Sequence, residues 1–177
     1  MSTFGQRLIG AARLDRAIYE EVEADTNANG QALAVVLLSS IAGGAGSMRL
    51  GTPTPGDAIV GTVAALVGWV AWATLTSLIG TRVLPEPDTH SNVGELLRTL
   101  GFAASPGLLL FVAVIPVGGS LLSLVIHVWM LMTMIVAVRQ ALDYRSTARA
   151  VAVCLVGWAV SLVIAFVIAA AFARAVQ

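Results

Sequence analysis

Four long stretches of this chain carry no charged side chain, and they constrain the fold more than any other feature. They enclose 23, 24, 40 and 24 residues. A helix needs about 20 apolar residues to cross the roughly 30 Å of hydrocarbon in a bilayer, so each stretch can hold at least one crossing. The charged residues that bound the stretches are Asp25 and Arg49, Asp57 and Arg82, Arg98 and Arg139, and Arg149 and Arg174. We therefore expect an integral membrane protein.

The composition agrees with this expectation. Hydrophobic residues make up 58% of the chain, charged residues only 11%, and the mean hydropathy is +0.88. Soluble domains carry about 25% charged residues, so a water-soluble fold is excluded. The ten basic residues, all arginine, balance ten acids, which argues against nucleic acid as a partner. The single cysteine, Cys154, can form no intrachain disulfide.

The 40-residue stretch is too long for one crossing, because a helix of that length would measure about 60 Å. Its strongest turn signal is Pro116-Val117-Gly118-Gly119-Ser120. The sequence therefore predicts an all-α bundle with five transmembrane helices. A cytoplasmic amphipathic segment is expected over residues 1–25 and the membrane domain over residues 26–177. The predicted spans cover about 31–48, 58–81, 97–116, 120–139 and 150–173.

The distribution of arginines predicts the orientation. With a cytoplasmic N-terminus and an external C-terminus, eight arginines lie in the cytoplasm and two outside, in agreement with the positive-inside rule. A four-span alternative, in which 99–116 is a re-entrant segment, would give six to four. The acids that precede the first stretch argue against a cleaved signal peptide.

The N-terminal segment has an apolar helical face. Its members recur at spacings of three and four: Leu8, Ala11, Leu14, Ile18 and Val22. Such a segment can lie along the membrane surface or pack under the bundle, and both alternatives stay open. Asp15 is expected to cap the helix that runs into Tyr19 and Glu20. The acidic residues at its end are interpreted as a solvated helix face, and no metal site is expected.

Two cytoplasmic loops follow from the same topology. The first includes Glu86, Asp88 and His90, which provide too few ligands for a metal. Asn92 and Glu95 have the spacing of a capping box at the start of the next helix. In the second loop, Asp143 has the wrong sign for the end of the fourth span. We expect it to form an ion pair with one of three arginines: Arg149, Arg139 or Arg98.

The spans hold few polar groups. Pro106 is expected to kink or break the third span, and His127 is the one ionisable residue at depth. Close helix approaches are predicted at three pairs of small residues: Gly61 and Ala65, Ala64 and Gly68, and Gly157 and Ser161. The sequence contains no catalytic constellation and no cofactor motif. An enzyme is therefore not expected.

The stretch from Glu95 to Gly107 resembles the third-span signature of bacterial members of the Yip family, the Ypt/Rab-interacting membrane proteins. Eukaryotic members have a Gly-Tyr pair followed by proline there, and this chain has Gly101, Phe102 and Pro106. The stretch from Trp129 to Ala150 is similar to the family's fourth span and following loop. Tyr19 stands where eukaryotic members carry an Asp-Leu-Tyr-Gly-Pro motif, whose other residues are absent. The likeness covers roughly residues 13–165.

This resemblance implies five spans and a cytoplasmic N-terminus. Eukaryotic relatives bind prenylated Rab GTPases and help to shape or sort vesicle membranes. The composition suggests a bacterium, so the expected location is the bacterial cytoplasmic (inner) membrane. Membrane lipid is the expected contact, while a cytoplasmic protein partner and self-association stay open.

Two functions are compatible with the sequence. The first is a non-enzymatic membrane adaptor or organiser that docks a partner on its cytoplasmic face, and the second is a small transporter or channel lined by the broken third span and His127. The candidate partner-binding or structural residues are Tyr19, Glu20, Arg98, Gly101, Phe102, Pro106, Arg139, Asp143, Tyr144, Arg145 and Arg149.

Overall fold

A computed structural model describes residues 1–47, 55–115 and 118–175, with side chains for 1–45, 59–113, 115 and 118–163. All the secondary structure in these ranges is helical. Arg49 and the first two residues of the predicted Pro116–Ser120 turn lie outside the described residues. Within these ranges seven α-helices follow one another: α1 (Phe4–Ala12), α2 (Arg16–Ala24), α3 (Asn29–Ser47), α4 (Pro55–Leu78), α5 (Val93–Ala103), α6 (Gly119–Ala141) and α7 (Thr147–Ala175).

The N-terminal segment forms a hairpin of two helices, and the residues predicted for its apolar face are buried or half-buried on both sides of the turn. α1 ends at Ala12, and Leu14 adopts a left-handed conformation with a φ of 64° that reverses the chain. Asp15 caps α2 as predicted, since its side chain accepts a hydrogen bond from the Ala17 N–H at 3.0 Å. The Tyr19 hydroxyl donates to the Ala11 carbonyl at 3.1 Å and joins the two helices. This N-terminal hairpin packs against α5 and α6.

The third predicted span changes its helix type partway. α5 ends at Ala103, and a 3-10 helix runs from Ser105 to Val114 with Pro106 in its first turn. Proline cannot donate a backbone hydrogen bond, so some carbonyls near the change need other partners. The Thr133 hydroxyl of α6 donates to the Ala103 carbonyl at 2.7 Å, and Ser39 of α3 donates to the Ala104 carbonyl at 2.8 Å. The break predicted at Pro106 is therefore present, and side chains of neighbouring helices donate hydrogen bonds to carbonyls beside it.

The chain folds back between the 3-10 helix and α6. Gly118 precedes α6 with a φ of 86°, a conformation that glycine adopts without strain. The Thr133 hydroxyl contacts Ala103, and a Cβ at Gly107, four residues later, would lie 3.1 Å from Met130, three residues earlier in α6. The two segments therefore run antiparallel. The predicted reversal of the 40-residue stretch is confirmed.

Among the residues whose side chains are described, four segments are long and apolar enough to cross a membrane: Thr26–Ala45, Ile59–Val83, Val93–Ala113 and Gly119–Ala141. A further apolar helix, Thr147–Val163, is the part of α7 whose side chains are described. Of the four, Val93–Ala113 is the most buried, because α3, α4 and α6 surround it. The count of five spans and the orientation remain predictions.

At Gly101 an added Cβ would lie 2.7 Å from the Cβ of Ala32 in α3 and 3.1 Å from its backbone oxygen, so the two helices approach closely there. The two glycines of the small-residue pairs predicted for α4 make no such approach to the part of the chain that the structure describes. A Cβ added at Gly61 or Gly68 would meet none of its atoms within 4 Å. In α7, Gly157 does pack closely, with a Cβ position 3.1 Å from the ring of Trp72.

Candidate functional site

Arg98 fastens the N-terminal hairpin to the membrane domain. It starts from α5 and is only 5% exposed. Its Nε donates to the carbonyls of Val22 and Glu23 at 3.0 and 3.1 Å, and its Nη2 also donates to the Glu23 carbonyl. These carbonyls lie at the end of α2, where a helix has no backbone donors left for them. Arg98 therefore caps α2 and acts as a structural residue.

Arg7 forms a second buried contact, which the sequence analysis missed. Its Nη2 lies 2.8 Å from Glu21 Oε1 and 2.7 Å from Asp25 Oδ2, and its Nη1 donates to Gln31 Oε1 at 3.1 Å. Only 2% of the arginine side chain is exposed. The interpretation of Glu21 and Asp25 as part of a solvated face was therefore wrong. Hydrogen bonds from Ser2 and then Arg7 lower the pKa of Glu21 to about 2.

A polar cleft opens beside this hairpin, between α2 and the end of α6. It has a volume of about 400 Å³. Its floor includes the hydrogen bond from the Gln140 amide to Glu20 Oε1, at 2.9 Å. Arg139 lines it while donating to the carbonyls of Tyr144 and Arg145 at 3.1 and 3.0 Å. We name it the α2–α6 cleft, and its lining residues are Arg16, Glu20, Arg139, Gln140, Asp143, Tyr144 and Arg145.

The loop after α6 is held to the loop after α4. Arg149 lies 3.5 Å from Glu86 Oε1 and also donates to the Pro85 carbonyl at 2.5 Å. The Arg145 backbone N–H donates to Glu86 Oε2 at 2.9 Å, and its side chain forms an ion pair with Asp88. The two predicted cytoplasmic loops thus form one surface beside the α2–α6 cleft.

The ion pair predicted for Asp143 is absent from the described part of the chain. Arg98, Arg139 and Arg149 each bind other groups, as given above. Asp143 instead adopts a left-handed conformation with a φ of 53° where the chain leaves α6. Aspartate is among the few residues that tolerate this conformation. Burial and then the nearby carboxylate of Glu95 raise the pKa of Asp143.

Glu23 shares this acidic environment. Burial, followed by the charges of Asp143 and Glu95, raises its pKa to about 7 from the usual 4.5. An acid with a raised pKa in the folded state stabilises that state at low pH, and the contribution disappears as the pH rises through the folded pKa. We expect the melting temperature to fall between pH 5 and pH 8. Glu23→Gln should flatten that slope in a pH series of thermal melts, and an unchanged slope would contradict the assignment.

Tyr144 anchors the loop after α6 to the end of α4. It is 4% exposed, and its hydroxyl lies 2.9 Å from the Gly80 carbonyl and 2.7 Å from the Leu84 carbonyl. The Gly80 carbonyl lies within the π-helical segment Ile79–Val83 that extends α4, and the Leu84 carbonyl directly follows it. Burial raises the pKa of Tyr144 to about 12. The hydroxyl is therefore a hydrogen-bond donor at neutral pH.

Tyr144→Phe tests this anchor. The phenylalanine keeps the ring packing and removes the hydroxyl donor, so we expect a loss of about 1 kcal/mol in stability. A thermal melt in detergent measures the loss, and His90→Ala, a change in the same loop surface at an exposed residue, serves as the control. Equal melting temperatures for Tyr144→Phe and the wild type would refute the anchoring role.

A second cavity, also of about 400 Å³, lies between α4 and α6 within the membrane-spanning segments. Trp69, Trp72 and Met130 contribute to a lining that is almost entirely apolar. His127 reaches it from α6, and its Nδ1 lies 2.7 Å from the Ser123 carbonyl. Because a carbonyl oxygen only accepts, Nδ1 must carry the hydrogen of this bond.

The sequence candidates thus divide into groups. Those that line the α2–α6 cleft together are Glu20, Arg139, Asp143, Tyr144 and Arg145. Those that are buried in packing or capping are Tyr19, Arg98, Gly101 and Phe102. Pro106 marks the start of the 3-10 helix, Arg149 joins the loops, and His127 lies apart in the second cavity. Sequence analysis did not single out Arg16 or Gln140, which line the cleft.

No group of three histidine, cysteine or acidic residues with metal-binding geometry occurs among the residues described. Together, the apolar helices and the buried third segment define a polytopic helical membrane protein. The family model of the Yip1 domain matches residues 15–169, and the chain belongs to this family. The Yip1 family is associated with membrane trafficking, and its members are not known as enzymes. Searches of curated proteins and of solved structures found no match.

Proposed function

We propose that this protein is a non-enzymatic membrane adaptor that docks a cytoplasmic protein through the α2–α6 cleft. The observation that carries the proposal is the gathering of five sequence candidates around one polar cleft. Arg16 is exposed at its edge, and the Arg145 side chain is 82% exposed. The ion pair of Arg145 with Asp88 is a surface pair and contributes little to stability, so a partner can replace it.

The charges of the cleft indicate the chemistry of the partner. Glu20 already accepts a hydrogen bond from Gln140, and Asp143 lies among other carboxylates. The exposed guanidinium groups of Arg16 and Arg145 therefore offer the better docking contacts. They bind carboxylates with paired hydrogen bonds. We expect a partner with an exposed acidic segment.

The predicted five-span topology favours a cytoplasmic location for this cleft. In the five-span arrangement, eight arginines lie on the side of the N-terminus, and the cleft lies on that side. This arrangement puts the C-terminus outside the cell and the protein in a bacterial cytoplasmic membrane. The association of the Yip1 family with membrane trafficking is consistent with an adaptor.

The test compares proteins purified in mild detergent after crosslinking in the native membrane. The double variant Arg16→Ala/Arg145→Ala removes the two exposed guanidinium groups, which do not hold the fold. Arg82→Ala, at another exposed arginine outside the cleft, is the matched control. We expect a stoichiometric partner with the wild type and the control and its loss from the double variant. If only self-contacts are recovered in all three, the adaptor proposal fails.

A small transporter is the second candidate, because the cavity at His127 adjoins the end of α5. Leu100, Ala103 and Ala104 line it, so the helix break and the histidine share one space. Its apolar lining favours an apolar solute over an ion. Flux of such a solute into proteoliposomes, abolished by His127→Ala and retained by His90→Ala, would support this candidate. Equal flux in the two variants would contradict it.

A further inference from the structure

The surface of α1 carries no exposed charge. Between Met1 and Ala12 the one charged side chain is Arg7, which is 2% exposed. The exposed side of α1 instead presents Phe4, with 37% of its surface accessible, and Ile9, with 51%. Arg13, which directly follows the end of α1, is the first exposed charged side chain in this part of the chain. Exposed apolar side chains of this kind are the part that an interfacial helix buries at the boundary between headgroups and acyl chains.

The contacts of α1 place it well inside the ends of the spans. The Trp129 indole N–H of α6 donates to the Ala12 carbonyl at 2.7 Å. Trp129 comes twelve residues before the end of α6 at Ala141, which is about 18 Å along the helix axis. The Phe4 ring packs edge-on against Phe102, with centroids 6.3 Å apart. Phe102 in turn lies nine residues inside the start of α5, about 14 Å along that helix.

We propose that α1 is an in-plane membrane helix whose Phe4 and Ile9 side contacts the acyl chains of the cytoplasmic leaflet. Its depth beside α5 and α6 puts it below the lipid headgroups. The occupant of this apolar face is membrane lipid. This inference concerns a different surface from the α2–α6 cleft and does not depend on partner docking.

Arg7 would oppose such a position if it were unpaired. A free guanidinium in the hydrocarbon is costly. The carboxylates of Glu21 and Asp25 lie 2.8 and 2.7 Å from it, and the Gln31 amide accepts a further hydrogen bond. The two carboxylates more than compensate the positive charge, leaving the cluster with a net charge of −1, and hydrogen bonds engage Nε, Nη1 and Nη2 of the arginine. The contact of Arg7 with α2 thus allows α1 to remain in the lipid.

The first test measures the depth of a nitroxide label in liposomes of the full chain. Cys154→Ala removes the native thiol, and Ile9→Cys or Ala24→Cys then introduces the label site. Ala24 is exposed at the end of α2 and is the matched aqueous control. We expect the label at position 9 to collide several-fold more with oxygen, relative to a water-soluble nickel complex, than the label at position 24. Equal collision ratios would overturn the proposal.

The second test concerns the neutralisation of Arg7. In the Ile9→Cys background, Glu21→Gln/Asp25→Asn leaves the arginine without carboxylates. The ratio of oxygen to nickel collisions at position 9 should then fall towards the ratio measured at position 24. Adding Arg7→Met to that double variant removes the charge and should restore the lipid ratio. If the double variant keeps the lipid ratio, or if Arg7→Met fails to restore it, the neutralising role of the carboxylates is wrong. The first test is independent of this outcome.

Discussion

Arg98→Ala is expected to detach the N-terminal hairpin from the membrane domain. The wild-type guanidinium caps the Val22 and Glu23 carbonyls from a site that is 5% exposed. The substitution leaves these carbonyls without their partner and opens a cavity beside α5. Each buried carbonyl that is left without a partner costs about 1–3 kcal/mol. We expect a large drop in melting temperature and increased protease cleavage near residue 25.

Two control variants separate this role from a general loss of positive charge. Arg13→Ala removes an exposed arginine from the same hairpin and should leave the melting temperature close to that of the wild type. Arg98→Lys keeps the charge but lacks the planar set of donors, so an intermediate loss is expected. If Arg98→Ala has the same melting temperature as Arg13→Ala, the hairpin is held by apolar packing, and the capping role is refuted.

Gly101→Ala is expected to have the second large effect. The added methyl group would lie 2.7 Å from the Ala32 Cβ and 3.1 Å from its backbone carbonyl oxygen. Because the oxygen belongs to the backbone of α3, the two helices must separate to admit the methyl group. Overpacking of this kind costs about 1–3 kcal/mol. The measurement is the thermal melt of the purified protein in detergent.

Gly61→Ala is the matched control, since it makes the same change in a helix where the new methyl group meets no atom within 4 Å. Alanine is the better helix former there, so the melting temperature should stay the same or rise. Equal losses in the two variants would mean that Gly101 has no special packing role. A loss confined to Gly101→Ala would identify the contact between α3 and α5 as the tight one.

Local features of this fold could be predicted from the sequence. Asn92 and Glu95 form the predicted capping box, with the Glu95 N–H donating to Asn92 Oδ1 at 3.1 Å. Asp15 caps α2, and the helix changes at Pro106. Each of these depends on residues within about one turn of one another. Side-chain chemistry and helix geometry are therefore sufficient to predict them.

Contacts across the fold could not be predicted in the same way. The partners of Arg7 are 14, 18 and 24 residues away, and the carbonyls that Arg98 binds are 75 and 76 residues away. They meet because Leu14 reverses the chain and the hairpin docks on α5. For the same reason, the pairing predicted for Asp143 failed, since its candidate arginines found backbone carbonyls or other acids. No periodicity within a single helix contains this information.

Five lining residues of the α2–α6 cleft were candidates from the sequence, and the cleft itself was not predicted. Glu20 and the candidates at and after the end of α6 were expected on the same side of the membrane, whereas Arg16 and Gln140 were not singled out. Nothing in the sequence indicates that the Gln140 amide meets Glu20 across 120 positions. The docking of α2 onto α6 brings the two sets together and adds Arg16 to the lining.

The most direct test of the adaptor proposal is site-specific photocrosslinking from position 145 in living cells. Arg145 lines the cleft and is highly exposed, so a photoreactive amino acid there should not disturb the fold. The same amino acid at position 82, an exposed site outside the cleft, is the comparison. We expect a cytoplasmic protein to be captured from position 145 and to be absent from position 82. Capture of lipid or of a second copy alone from position 145 would contradict the proposal.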